Sequence, residues 1–302
     1  MEPLSVGNVI SAGLRIYRDN FKKYFSLAFF GYLWIFLPIF ILGIIGAIIV
    51  GVFGQDSSAS GILVLLIVTA IVGLVYGCAK YYAITGLISR LAYHEIAEQP
   101  ETVKDARRFI KPRMWKFLIA GILVSLILFG AVIAYLLIIS IVGGIIGVIY
   151  SQNSPVSAVV GIIFTIVVAL LAIFGFIWLL SRLFLIELPL AVEENVGATG
   201  TISRSWELTK NSIIRIQLVI FLAFLISIPI VLAINIVSFV LQIAIGTGIE
   251  SNPGLAAIAI ILYVLIALAG GAFMVPFWQA IKAVIYYDLR VRREGMGIDL
   301  RK

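Results

Sequence analysis

The sequence predicts an all-α polytopic membrane protein, with six transmembrane helices and amphipathic interfacial helices between them, in a single membrane domain over residues 1–302. Three observations carry this. First, the chain is 62% hydrophobic and only 12% charged, with a mean hydropathy of +1.16, whereas a soluble domain carries roughly a quarter charged residues. Such a chain cannot cover itself with polar surface, so its solvent must be lipid. Second, six apolar runs stand out, at roughly 24–53, 61–93, 115–150, 156–192, 213–247 and 254–287. Each exceeds the ~20 residues that a helix needs to cross the hydrocarbon core. Third, nearly all the basic residues fall in alternate connections and at the two termini.

The N-terminal residues 5–25 read as an amphipathic helix. Val6, Ile10, Leu14, Tyr17, Phe21 and Phe25 recur every three or four positions, and Arg15, Arg18 and Lys22 fall mostly elsewhere. That pattern predicts a helix lying in the headgroup plane. The apolar run that follows is about thirty residues long, beyond a signal-peptide h-region of roughly 7–15 residues, and reads as a first span. The connections "GQDSSAS" (54–60), "SQNSP" (151–155) and "GTGIESNPG" (246–254) carry no Lys or Arg. The N-terminus, the 94–116 and 193–215 stretches and the C-terminal tail carry essentially all the rest, so the positive-inside rule predicts both termini in the cytoplasm. Lys80, Arg182 and Lys282 come late in the even-numbered runs and fall near the same edge if those helices project inward. Pro38, Pro229 and Pro276 are expected kink positions. "TVKD" (102–105) matches a capping box opening a second short helix.

The chain aligns with itself. A shift of 99 residues places Leu91 on Leu190, Glu95 on Glu194, Thr102 on Thr201, Lys111 on Lys210 and Lys116 on Arg215. A shift of 93 adds Ile10 on Val103, Arg18 on Lys111 and Lys23 on Lys116, and a shift of 94 places Asp288 on Glu194. This predicts three tandem units, about 1–98, 99–197 and 198–302, each a short basic helix followed by two spans. Two spans per unit make the copies parallel, related by an axis along the membrane normal.

The candidate chemistry is sparse. Lone Cys78 and lone His94 leave no disulfide framework, no Cys- or His-rich metal site and no serine–histidine relay. No phosphate loop, HExxH or GxSxG pattern is present, and no cofactor is expected. The net charge of +7 is placed at membrane edges rather than in a nucleic-acid-binding face. Arg15, Arg18, Lys22, Lys23, Arg107, Arg108, Lys111, Lys210 and Arg215 are the candidate contacts to anionic lipid headgroups. Their alternative role is to anchor topology alone. Glu95, Glu194 and Asp288 are candidate gating acids around a central axis, or else each marks the exit of its span and pairs with a nearby base. Asn235 and Gln242, seven apart on one face of the fifth run, are candidate substrate contacts or interhelical glue. Gly43, Gly46 and Gly51, with Gly143, Gly144 and Gly147, are expected to let helices pack closely.

"PLSVGNVISAGLRIYRDNF" at the N-terminus, "ISRSWELTKNS" (202–212) and above all "YYDLRVRREG" (286–295) carry a resemblance. Over essentially its whole length the chain resembles the bacterial and archaeal membrane domain that is found fused to some glycerophosphodiester phosphodiesterases and that also occurs alone. The resemblance implies a multi-span helical bundle in a prokaryotic cytoplasmic (inner) membrane. It carries no activity, because catalysis in the fused relatives belongs to a soluble barrel. Here the longest polar stretch is about twenty residues, and His94 sits in "YHEIA" rather than in the His-Arg-Gly pattern of that barrel. The expected function is therefore non-enzymatic: a scaffold or accessory subunit that organises lipids or a membrane protein partner. The alternative is a solute transporter or channel. Three parallel two-span units share their layout with mitochondrial carriers, yet Pro38, Pro112, Pro229 and Pro276 lack the acidic and basic sequel of the carrier motif.

Overall fold

The computed structural model describes residues 4–53, 57–150 and 155–295. Ten α-helices follow one another: α1 (Val6–Asp19), α2 (Phe21–Phe53), α3 (Ser57–Ile96), α4 (Val103–Ile110), α5 (Met114–Tyr150), α6 (Pro155–Leu183), α7 (Glu187–Val192), α8 (Gly200–Thr209), α9 (Ile213–Ser251) and α10 (Pro253–Glu294). A 3₁₀ turn, Lys111–Arg113, joins α4 to α5. No strand occurs among the described residues. Six segments are long and apolar enough to span a membrane: Phe21–Ile49, Gly61–Ile96, Val103–Gly147, Val159–Val192, Ile213–Gly248 and Gly254–Glu294. The protein thus has the multi-pass architecture that the six apolar runs predict. At 42 residues, α10 is about 63 Å long, twice the ~30 Å hydrocarbon core.

The extra length is where the core lies. Buried residues gather at the ends of the spans that meet the short helices: Tyr24, Leu27 and Ala28 of α2, Leu87 to Tyr93 of α3, Phe117 and Ala120 of α5, Ile216 and Val219 of α9, and Ala280 to Leu289 of α10. Away from this packed end the same helices present Leu65, Val72, Phe129, Leu136, Phe174, Ile236 and Phe239 outward at more than half exposure. Water does not tolerate so large an apolar surface, but acyl chains do. α3 and α10 pack together at the centre, α2 lies against both, and the α5–α6 pair stands on the other side.

Three short helices, α1, α4 and α8, each precede an odd-numbered span and lie against an even one: α1 against α10, α4 against α3, α8 against α6. The apolar stripe of α1, predicted to lie in the headgroup plane, therefore packs against protein. Val9, Ile10, Ile16 and Tyr17 are buried, and the Tyr17 hydroxyl donates to the Phe273 carbonyl at 3.0 Å. Thr102 caps α4 as expected, its hydroxyl accepting from the Asp105 N–H at 3.2 Å. The Asp105 carboxylate answers to the Thr102 hydroxyl at 2.5 Å rather than to its backbone.

The packing glycines are not those singled out in the sequence. Gly43, Gly51, Gly143, Gly144 and Gly147 have open space where a Cβ would stand, and Gly46 has only Leu66 at 4.0 Å. Close approach occurs instead at Gly77, where a Cβ would collide with the Trp34 carbonyl of α2, and at Gly86, where it would strike the Phe117 ring of α5. Pro38, Pro229 and Pro276 all lie within continuous helices. The interruption comes at Pro189.

Candidate functional site

Pro189 has no N–H to offer the Leu185 carbonyl four residues earlier, and its ring crowds that carbonyl. The fourth span accordingly breaks over residues 184–186, between α6 and α7. The break exposes carbonyls that need donors, and α8 supplies them. The Thr201 hydroxyl donates to the Ile186 carbonyl, and the Ser205 hydroxyl to that of Arg182 at 2.7 Å. At the far end of α7, two arginines bind the terminal carbonyls. Arg90 donates to Ala191 at 2.9 Å, and Arg113 donates to Leu190 at 3.2 Å, to Glu193 at 2.5 Å and to Glu194. The Phe109 ring lies between the two guanidiniums, at 3.8 and 4.0 Å, and Arg90 is further held by Glu101 at 2.6 and 3.2 Å. Cations at a helix C-terminus are favourable on both hydrogen-bonding and dipole grounds.

The break also positions an acid. Glu187, the first residue of α7, meets Lys282 of α10 at 3.4 Å. The pair borders a cavity of about 380 Å³ between α5, α6 and α9, whose walls include Phe117, Val124, Leu128, Leu183 and Ile220. Glu187 Oε2 is enclosed and has no hydrogen-bond partner among the described residues. Lys282 lies over the Phe184 ring at 5.3 Å, as Lys80 lies over Tyr76 at 5.3 Å and Arg182 over Trp178 at 5.2 Å. Both partners stand in the sequence as single charges 95 residues apart. Only the charge itself, within an otherwise apolar run, marks them there.

"YYDLRVRREG" ties the packed end together. Asp288 is 3% exposed. It accepts from the Leu4 N–H at 2.9 Å, from Arg215 at 3.0 Å and from Arg292 at 2.9 Å. Tyr286 donates to Glu193 at 2.6 Å, and Arg290 donates to Glu294 at 2.8 Å and to Tyr93 at 3.1 Å. Arg204 joins Glu193, Glu207 and Glu294. Burial opposes its charge, and the Glu193 and Glu294 carboxylates more than offset that, holding its pKa above the ordinary arginine value. Gly295 closes α10 in the left-handed conformation.

The three aligned acids do not form a ring. Glu95 and Glu194 are exposed while Asp288 is buried, and Glu193, one residue from the aligned position, is the acid the network uses. Asn235 and Gln242 are exposed on the outside of α9, and the Asn235 amide donates to its own helix at the Val231 carbonyl, 2.7 Å away. They line no path.

The candidate headgroup cations divide. Arg215 is spent on Asp288 and on the Leu4 carbonyl. Lys23 is half-buried over the Tyr24 ring at 5.2 Å. Arg18 makes one exposed contact with Asp19 at 3.4 Å. Arg15, Lys22, Arg107, Arg108, Lys111 and Lys210 are exposed and form no ion pair among the described residues. Nor do three or more His, Cys, Asp or Glu side chains gather as a metal site there. Comparison with protein-family models, with curated proteins and with solved structures finds no match to this chain.

Proposed function

We propose that this is a non-enzymatic protein of a prokaryotic cytoplasmic (inner) membrane, with both termini in the cytoplasm, which gathers anionic lipid around its basic end and organises membrane partners there. The observation that carries this reading is the sorting of its cations. Arg90, Arg113, Arg204, Arg215 and Arg290 are consumed by acids and carbonyls inside the packed end, while Arg107, Arg108 and Lys111 are exposed and meet no acid among the described residues. A protein that needed positive charge only to fix its topology has no use for so complete a division. Each free cation near an anionic leaflet contributes about 1 kcal/mol. The resemblance of its sequence to the phosphodiesterase-associated membrane domain, which itself brings no activity, is in keeping with this reading.

The test is a reconstitution with spin-labelled phosphatidylglycerol. The wild type should hold a motionally restricted fraction that shrinks when Arg107, Arg108 and Lys111 become glutamine. An unchanged fraction rejects the proposal. A transport role is the second reading, favoured by the Glu187–Lys282 pair in its cavity. It requires cysteines placed at Val124 or Ile220 to react with a water-borne thiol reagent; sealed positions reject it.

A further inference from the structure

We propose that the cavity between α5, α6 and α9 binds a neutral amphiphile with a hydroxyl headgroup, seated between Glu187 and Lys282. This stands apart from the leaflet reading, since none of the exposed cations borders the cavity.

At about 380 Å³ the cavity lies within the range of small-ligand sites. It has direction. α5 runs away from the packed end and α6 runs towards it, so Glu187, Lys282 and Phe117 lie at the inner end, while Val124, Leu128 and Leu180 lie farther out. Ser125 and Leu180 on the rim are exposed, and around them Ile122, Leu126 and Ile177 are 48%, 59% and 41% exposed. The mouth therefore opens on the apolar girdle, and the entrant comes from lipid with its tail outward.

Charge and valence choose the headgroup. Lys282 and Glu187 sum to zero, so an anionic headgroup would carry an uncompensated charge into an apolar wall. The pair is not saturated. An ammonium has three donors, and one reaches Glu187 Oε1 at 3.4 Å; a carboxylate oxygen accepts more than one hydrogen bond, and both side chains keep some exposure, 16% for Lys282 and 23% for Glu187. A hydroxyl donates to the carboxylate and accepts from the ammonium at once, leaving the ion pair whole. An amino-phosphate zwitterion also balances charge, but only by prising the pair apart.

Purified protein in mild detergent would be challenged with diacylglycerol, phosphatidic acid and phosphatidylethanolamine of identical chains, and the retained lipid counted by native mass spectrometry. The expected result is one diacylglycerol per protein, at least tenfold preferred over phosphatidic acid. Glu187→Gln leaves Lys282 an unbalanced cation, so the preference should invert towards phosphatidic acid; a merely structural role for Glu187 would not invert it. Val124→Trp fills the cavity without touching the ion pair and should abolish diacylglycerol retention, which keeps the test decisive if Glu187→Gln fails to fold. Equal retention of diacylglycerol and phosphatidic acid by the wild type, a preference for phosphatidylethanolamine, or retention undiminished in Val124→Trp would each overturn the proposal.

Discussion

Asp288 shows how far a single residue's role departs from its sequence context. It follows two tyrosines at the end of an apolar run and reads as the exit mark of a span, yet it is the point at which the first and last helices of the chain are tied. Two arginines and the Leu4 N–H converge on it. Removing one member of a buried charged cluster costs about 3–5 kcal/mol. Asp288→Asn should fall at the low end, about 3 kcal/mol, because Arg215 and Arg292 keep 23% and 32% side-chain exposure and so part of their hydration. Thermal unfolding in detergent checks this, and a loss under 1 kcal/mol would contradict it. Thr201 is the second residue to test. Thr201→Val leaves the Ile186 carbonyl unpaired and should cost about 1–3 kcal/mol, with Thr201→Ser retaining stability. The alignment had paired Thr201 with Thr102, a helix cap; here its hydroxyl instead repairs a broken span.

At the scale of elements, helix number and identity were legible and helix contacts were not. Composition and run length suffice for six spans, because a membrane admits few alternatives to a helix that satisfies its own backbone. The same uniformity hides the rest. When nearly every residue is apolar, no stripe reports which face meets protein, so the glycines of α2 and α5 looked like packing sites and are not. Gly77 is. Its neighbour is the Trp34 backbone, which cannot swing aside, and Gly77→Ala should destabilise by about 1–3 kcal/mol, towards the upper figure. Gly43→Ala should be silent in the same melt. The amphipathic periodicity of α1 was read correctly as a helix with one apolar face, but periodicity alone does not say whether lipid or α10 receives that face. Pro189 was legible as a helix breaker in principle. Its consequence, Glu187 turned to meet Lys282, depends on a helix 95 residues away.

Over the whole molecule, charge follows one logic. Acids and carbonyls at the packed end engage Arg90, Arg113, Arg204, Arg215 and Arg290, while part of the surplus behind the net charge of +7 is exposed, with Arg107, Arg108 and Lys111 close together around α4 and its following turn. At about 1 kcal/mol per cation, replacing those three with glutamine should lower affinity for anionic lipid about a hundredfold, and raised salt should produce part of the same loss. The spans should remain inserted, since none of the three lies in the apolar part of a helix. The basic edges that the sequence displays are thus of two kinds, one internal and one outward, and only the folded chain separates them. The most direct measurement is extraction of the protein into native lipid discs, followed by quantitation of the lipids it brings along. Anionic lipid should be enriched over the parent membrane for the wild type, with bulk composition for the Arg107→Gln, Arg108→Gln, Lys111→Gln variant. Bulk composition around both proteins would contradict it.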